Sequence, residues 1–182
     1  MPEAILLRGG RLLDPAQGLD AIGDLLLQDG KIAWVLRGEA PANARTIDAA
    51  GFVVCPGFID LHCHLRQPGF EDKETIATGT QAAARGGFTT VCAMPNTNPP
   101  ADSRAAIEFV LRTAQAEGAV RVLPVGCITR GQKGRELVDM GDLAAAGAIG
   151  FSDDGKPVAN ALLMRYALEY SKAFGFPIME HS

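Results

Sequence analysis

The sequence predicts an α/β fold, a partial (β/α)₈ TIM-type barrel of about five strands preceded by a small β-domain. Three observations predict it. Short apolar runs separated by turn residues occupy the first 55 positions, and from residue 56 onward apolar runs alternate with helical stretches. Polar side chains also follow the ends of several of these runs. Repeated βα units imply parallel strands with right-handed crossovers. The predicted boundaries are 1–55 for the β-domain and 56–182 for the barrel portion.

The first region has the pattern of a small β-structure. It shows no extended helical periodicity, and Asp29-Gly30 between two apolar runs is a strong hairpin signal. The Pro56-Gly57 pair ends it. The predicted strand-forming runs are 5–7, 12–13, 25–27, 32–35 and 52–55.

The second region alternates strands and helices. Glycines and polar caps at the run ends mark the helix boundaries. The predicted strands are 58–61, 88–94, 120–128, 148–152 and a fifth that begins in 176–181. The predicted helices are 74–85, a second from Asp102 or Ser103 to 117, 136–146 and 160–174.

Polar residues at the strand ends favour a barrel over a doubly wound sheet. They follow the first, second, fourth and fifth predicted strands, which is where (β/α)₈ barrels place active sites; the residues are His62, His64, Asn96, Asp154 and His181. A doubly wound nucleotide binder would show a glycine-rich turn after its first strand, and none is present. A full barrel needs about 250 residues, whereas 127 follow the β-domain. We therefore expect the N-terminal part of a larger enzyme: a truncated product, a fragment or half of a split protein.

Composition narrows the class of protein and its partners. The chain of 182 residues is 47% apolar and 21% charged, with a net charge of -4 and no basic block. Nucleic acid and membrane surfaces are therefore not expected partners. No apolar run approaches the roughly 18 residues of a membrane span, and the N-terminus lacks a signal peptide's basic region, which predicts a cytoplasmic protein. The four cysteines form no Cys-x-x-Cys pair and are expected to be reduced, buried hydrophobes.

His62 and His64 are the central candidates for chemistry. Side chains alternate in an extended strand, so these two share a face with Asp60, while Leu61 and Cys63 face the other way. Two imidazoles at that spacing can bind one cation, and zinc suits imidazole. A packing or surface role remains an alternative for the pair considered alone.

Four segments resemble a known family. The run 57–69, Gly-Phe-Ile-Asp-Leu-His-Cys-His-Leu-Arg-Gln-Pro-Gly, resembles the metal-binding opening of the cyclic amidohydrolases, and it is most similar to the dihydroorotases. The other segments are 94–100, 151–155 and Glu180-His181, in the family's order. The resemblance extends from about Leu6 onward. It implies a small-molecule substrate and the reversible hydrolysis of dihydroorotate to N-carbamoyl-aspartate in de novo pyrimidine (UMP) biosynthesis.

The resemblance also implies residue roles. His62 and His64 would bind a first zinc ion, Asp154 would bridge to a second in two-metal members, and His181 would bind that second ion. An aspartate bridge indicates the bacterial branch rather than relatives with a carboxylated lysine, and Asp153 is the weaker candidate for the same role.

The same resemblance assigns substrate binding to His64, Arg66 and Asn96. No catalytic proton carrier is expected within this chain, because the family's proton-shuttle aspartate would lie beyond residue 182. We therefore expect the 182 residues alone to bind metal weakly and to be nearly inactive. The family also suggests a homodimer.

Two alternatives remain open. One is another cyclic amidohydrolase, of the dihydropyrimidinase or allantoinase type, although Arg66 with Asn96 suits a ring that bears a free carboxylate. The other is a non-catalytic dihydroorotase-like subunit that scaffolds aspartate transcarbamoylase. Such a subunit would be expected to lack metal ligands.

Overall fold

The computed structural model of the protein describes residues 4–181. Its internal contacts divide the chain into two compact units, Met1–Pro56 and Gly57–Ser182. The first unit is built from strands alone with one short 3₁₀ turn, and the second is built from alternating strands and helices. The predicted α/β character of the chain is confirmed.

The first unit is one mixed sheet. Its strands are β1 (Ala4–Asp14), β2 (Leu19–Gln28), β3 (Lys31–Leu36), β4 (Arg45–Asp48) and β5 (Val53–Val54). The order is β3-β2-β1-β4, with β5 also paired to β1. Pairing of β1 with β2 and of β2 with β3 is antiparallel, whereas β4 and β5 run parallel to β1.

The predicted hairpin joins β2 to β3. Gln28 pairs with Lys31 across it, and both turn residues, Asp29 and Gly30, have positive φ angles of 53° and 73°. Positive φ at both central positions is the geometry that suits the twist of a two-residue hairpin. The hairpin prediction is therefore confirmed.

The second unit contains a parallel sheet with helices between its strands. Strands β6 (Phe58–Cys63), β7 (Phe88–Ala93) and β8 (Arg121–Pro124) pair in that order, all parallel. The helices are α1 (Ile76–Arg85), α2 (Arg104–Glu117), α3 (Met140–Ala146) and α4 (Ala161–Ser171), with 3₁₀ turns at Arg130–Gln132 and Lys172–Phe174. The largest buried cluster of this unit surrounds Phe151 and includes Ile107, Ile128, Met140 and Leu143.

Two further segments extend the parallel arrangement beyond β8. Gly126 forms a parallel bridge with Phe151, and Phe151 forms another with Ile178. The backbone N–H of Phe151 donates to Pro177 O at 3.1 Å, and Met179 N–H donates to Phe151 O at 2.9 Å. Five parallel segments therefore lie side by side in chain order.

Several predicted boundaries were too wide. The strand predicted over 120–128 covers only Arg121–Pro124, and the strands predicted over 148–152 and 176–181 are reduced to single bridge residues. The helix predicted over 136–146 begins at Met140, because Leu137 pairs with Thr129 instead and the Asp139 side chain caps the helix.

Side chains cap the N-termini of α1 and α4. Thr75 and Thr78 form a reciprocal capping box at α1. Asn160 accepts hydrogen bonds from two backbone amides at the start of α4. Ser103 is the N-cap position of α2, one of the two residues predicted, although its side chain makes no capping bond.

Strand β6 exposes apolar side chains. Phe58, Ile59 and Leu61 on β6 are each more than half exposed, and β6 pairs with β7 on one side only within residues 4–181.

All four cysteines are free, but Cys55 is exposed, so the expectation of burial was wrong there. The neighbouring strand β5 is not buried either, since Val53 is 54% exposed. Among the described residues, no helix is long and apolar enough to cross a bilayer.

Candidate metal centre

The candidate site begins at the carboxyl end of β6. Alternation along the strand places the rings of His62 and His64 together, with their Nε2 atoms 3.3 Å apart. The Asp60 carboxylate accepts a hydrogen bond from His62 N–H at 3.0 Å and so holds the turn of the backbone there. The strand's hydrophobic sequence thus delivers two ring nitrogens to one point.

Cys63 lies between the two histidines in sequence but belongs to the apolar side. It packs against the buried cluster that includes Leu65 and Val91. Burial, with a smaller contribution from the Asp60 charge, raises the pKa of the Cys63 thiol to about 11. Its packing against this apolar cluster, on the other side of the strand from the ring nitrogens, separates it from the histidine site.

Asp154 is the buried centre of the site. Its side chain is 4% exposed. Oδ1 lies 3.2 Å from His62 Nε2 and 3.2 Å from His181 Nδ1, and Oδ2 lies 3.4 Å from His64 Nε2. Four side chains from the first, fourth and fifth parallel segments therefore meet at one end of the sheet.

The spacing and chemistry of these atoms fit a divalent metal. His62, His64 and Asp154 each offer a ligand atom within 4.8 Å of the others. Zinc bonds of about 2.0 to 2.1 Å in tetrahedral geometry place neighbouring ligand atoms about 3.3 Å apart, close to the separations seen here. Three imidazoles and one carboxylate are also a donor set that suits zinc. The residues present fit such an ion.

Asp153, the alternative carboxylate, lies elsewhere. It is 2% exposed, and its Oδ1 accepts hydrogen bonds from the backbone N–H groups of Ile128 at 2.8 Å and Thr129 at 3.0 Å. Its Oδ2 accepts a hydrogen bond from the Thr129 hydroxyl. Asp153 therefore ties the end of the third segment to the fourth, and Asp154 is the carboxylate that the histidines surround.

Asn96 joins the cluster, whereas Arg66 does not. Asn96 lies on the loop after β7, and its side chain is 2.9 Å from both His64 Nδ1 and Asp154 Oδ2. Arg66 is partly buried with a positive φ of 61°, and it makes no hydrogen bond or ion pair to the rest of residues 4–181. Its guanidinium is thus not committed to a partner in this part of the protein.

Sequence reasoning missed one supporting residue, Ser152. Its hydroxyl donates to Met179 O at 2.7 Å and accepts from Asp154 N–H at 3.1 Å. Ser152 therefore links the segment that carries Asp154 to the segment that carries His181. Its position beside the two aspartates was the only available signal, because a serine there has no distinctive chemistry.

The sequence of this chain is similar to sequences of a known protein family. The family model described as dihydro-orotase-like matches residues 51–182. A dihydroorotase of Anaeromyxobacter sp. (strain K) is 52% identical over 182 residues, which is 100% of this chain and 42% of that protein. A dihydroorotase of Geobacter sp. (strain M21) is 51% identical over 179 residues, 98% of this chain and again 42% of the relative. The chain thus spans less than half the length of these relatives.

Solved structures show the same architecture at lower identity. The L-hydantoinase (dihydropyrimidinase) from Arthrobacter aurescens superposes with a TM-score of 0.83 at 24% identity, covering 98% of this chain and 40% of that one. A D-hydantoinase superposes with a TM-score of 0.79 at 25% identity, covering 100% and 40%. These similarities concern the fold. The matched region, 51–182, includes every side chain that converges on Asp154, and the chain belongs to the dihydro-orotase-like family.

Proposed function

We propose that this chain is the N-terminal part of a dihydroorotase, which reversibly hydrolyses dihydroorotate to N-carbamoyl-aspartate. The observation that carries the proposal is the convergence of three histidines on the buried Asp154. The relatives named dihydroorotase, about half identical along the whole chain, support the choice of substrate.

The metal in this proposal is zinc, as one or two ions. His62, His64, Asp154 and His181 would hold it, with Asp154 between the two histidines of β6 and His181. A bound zinc ion polarises a carbonyl group and makes water nucleophilic near neutral pH. The three imidazoles around the buried Asp154 carboxylate favour this assignment, because imidazole nitrogens and a carboxylate oxygen together form a donor set for zinc.

The proposed substrate contacts are Arg66 and two residues at the edge of the histidine cluster. Dihydroorotate carries a carboxylate, and a guanidinium can bind it through two parallel hydrogen bonds. Arg66 follows His64 by two residues and has no polar partner within the described chain. His64 and Asn96 are the other proposed substrate contacts, and they already touch each other.

The fold of the complete enzyme is part of the same proposal. The five parallel segments would be the first five strands of a (β/α)₈ barrel, and residues 56–182 its N-terminal portion. The exposed apolar side chains of β6 support this, since a closed barrel would cover that strand. Residues 1–55 would be the N-terminal part of a composite β-sandwich. A cavity of about 550 Å³ within the first unit, lined mainly by apolar side chains, is consistent with missing strands.

The full-length gene product tests this function. We expect zinc-dependent hydrolysis of dihydroorotate, little activity on hydantoin or allantoin, and loss of activity after treatment with a chelator that zinc restores. The 182-residue chain alone should be nearly inactive, because we propose that the proton-shuttle aspartate lies beyond residue 182. Efficient turnover of hydantoin instead of dihydroorotate would contradict the substrate assignment.

The two alternatives predict different outcomes of that assay. A hydantoinase-type enzyme is favoured only by the structural similarity to hydantoinases, which shows the fold alone. A non-catalytic subunit that scaffolds aspartate transcarbamoylase would bind no metal and show no turnover. The presence of all four candidate ligands argues against it. Size measurements of the same sample would test the proposed homodimer.

A further inference from the structure

We propose that Asn96 is a positioning residue, which holds His64 in the tautomer that binds metal and orients the Asp154 carboxylate. The inference rests on the proposed function, in which His64 and Asp154 are metal ligands. It adds to the substrate contact proposed for Asn96, because an amide has two N–H groups and two lone pairs on its oxygen, which two hydrogen bonds do not exhaust. Both polar atoms of the Asn96 amide are used inside the protein.

The two hydrogen bonds define the orientation of the amide. Asn96 Nδ2–H donates to Asp154 Oδ2 at 2.9 Å, and a carboxylate can only accept such a bond. The other end of the amide, Oδ1, therefore faces His64 Nδ1 at 2.9 Å. Since Oδ1 can only accept, the proton of this bond must lie on His64 Nδ1.

The position of that proton decides what His64 can bind. A neutral imidazole that is protonated on Nδ1 has its lone pair on Nε2. His64 Nε2 is the atom that faces the site, 3.3 Å from His62 Nε2 and 3.4 Å from Asp154 Oδ2. Asn96 therefore selects the tautomer with the free electron pair at the metal position. A partner on the second ring nitrogen is the usual way in which proteins orient a metal-binding histidine.

The loop is built to hold Asn96 in place. Pro95 on one side is buried, and its carbonyl accepts hydrogen bonds from the backbone N–H groups of Thr97 at 2.9 Å and Ala101 at 3.0 Å. On the other side, Asn98 N–H donates to Pro68 O at 2.9 Å, which ties the loop to the segment after His64. The amide is therefore carried by a braced backbone.

The short asparagine side chain carries an N–H donor and a carbonyl acceptor in one plane, which fits both contacts. Leucine has a similar size and supplies neither bond. Aspartate could accept the proton of His64 Nδ1 but could not donate to Asp154. The two substitutions therefore test different parts of the proposed role. Leucine removes both hydrogen bonds, and aspartate removes only the bond to Asp154.

The test measures zinc affinity and the His64 tautomer in the full-length chain. Affinity is obtained by competition with a chelator, and the tautomer is obtained from long-range ¹H–¹⁵N NMR of the metal-free protein, with the His64 signal assigned by its loss in His64→Ala. We expect Asn96→Leu to lower zinc affinity by about 10-fold to 100-fold, the range for losing an outer partner of a ligand. The same variant should show a mixture of His64 tautomers.

Two further variants complete the design. Asn96→Asp should keep the Nδ1–H tautomer, since a carboxylate still accepts that proton, and this variant carries the test if Asn96→Leu does not fold. Asn98→Ala, in the same loop, should change neither quantity, because the Asn98 side chain makes no hydrogen bond to His64 or Asp154 within the described residues.

The outcomes separate this inference from the proposed function. If His64→Ala lowers zinc affinity while Asn96→Leu leaves affinity and tautomer unchanged, the positioning role is wrong and the metal site stands. Loss of the Nδ1–H tautomer in Asn96→Asp would also overturn the positioning role. If His64→Ala leaves zinc affinity unchanged, His64 is not a ligand, and the metal assignment itself fails.

Discussion

The surroundings of Asp153 and Asp154 differ completely, although the two residues are adjacent and their side chains are only 2% and 4% exposed. Asp153 faces the end of the third parallel segment, where backbone amides and a hydroxyl satisfy it. Asp154 faces the opposite way, toward three imidazoles and an amide. Asp153 lies just after the bridge residue Phe151 and Asp154 begins the turn that follows, so one step along the chain separates the two environments.

The different partners of Asp153 and Asp154 show how a structural carboxylate can be distinguished from a functional one. The bonds of Asp153 come from backbone groups of one loop and need no further ligand. The neighbours of Asp154 are mostly ring nitrogens, which are themselves metal ligands. Burial alone does not distinguish the two. The identity of the neighbouring atoms does.

The largest expected effect is on the stability of the protein, when the Asp153 carboxylate is removed. Asp153→Ala leaves the N–H groups of Ile128 and Thr129 and the Thr129 hydroxyl without their acceptor. At about 1 to 3 kcal/mol for each buried donor left unpaired, we expect the free energy of unfolding to fall by at least about 3 kcal/mol. Denaturant titration measures this. A loss below about 1 kcal/mol would contradict the structural role of Asp153.

The second-largest expected effect is on zinc affinity, when Asp154 loses its charge. Asp154→Asn keeps the shape of the side chain and removes its charge, so we expect zinc affinity to fall by at least about 100-fold, beyond the loss typical of an outer partner. The protein should remain folded, as judged by circular dichroism. Asp153→Asn is the matched control, and any loss of zinc affinity in it should follow its loss of stability. Unchanged zinc affinity in Asp154→Asn would refute the assignment of Asp154.

A third variant tests the Asp153 side without touching a charge. Thr129→Val keeps the volume of a fully buried side chain but removes the hydroxyl that donates to Asp153 and accepts from Gly134 N–H at 2.9 Å. We expect a loss of about 1 to 2 kcal/mol in unfolding free energy. Zinc affinity, measured in the same samples, should not change. A drop in affinity without a drop in stability would show that the two sides are coupled.

The smallest effect is expected at Ser152, which lies between the two aspartate environments and the fifth segment. Ser152→Ala removes the bonds to Met179 O and from Asp154 N–H. We expect a loss of about 1 kcal/mol in stability, together with a loss of zinc affinity of only a few fold. Thermal unfolding and chelator competition measure the two quantities. A Ser152 variant as damaging to zinc binding as Asp154→Asn would remove the distinction between ligand and support.

Residue patterns predicted much of this arrangement. Alternation along β6 placed His62 and His64 on one side and Cys63 on the other, as the structure shows. Strand lengths were less predictable. The apolar run 148–152 looks like a full strand, but only Phe151 forms bridges there. Pairing depends on the neighbouring segments, which local composition does not report.

Sequence reasoning placed the polar strand ends at one edge of the sheet but could not give the individual hydrogen bonds between them. Asn96 and Asp154 are 58 positions apart, yet their side chains share a hydrogen bond. The choice of Asp154 over Asp153 came from motif position, since both are acidic residues at the end of the same predicted strand. The structure also gives Arg66 no partner within residues 4–181, although its sequence position places it beside the histidines.

Residue patterns along the chain were enough to establish the alternation of strands and helices, the side of β6 that carries its histidines and the family to which the chain belongs. These follow from local periodicity and from motifs within a few residues of one another. The folded structure was needed to show which nitrogen of His64 faces the site, what holds Asp153 and what Asn96 contacts. Those depend on hydrogen bonds between segments brought together by parallel pairing, and such bonds have no signature in the spacing of residues along the chain.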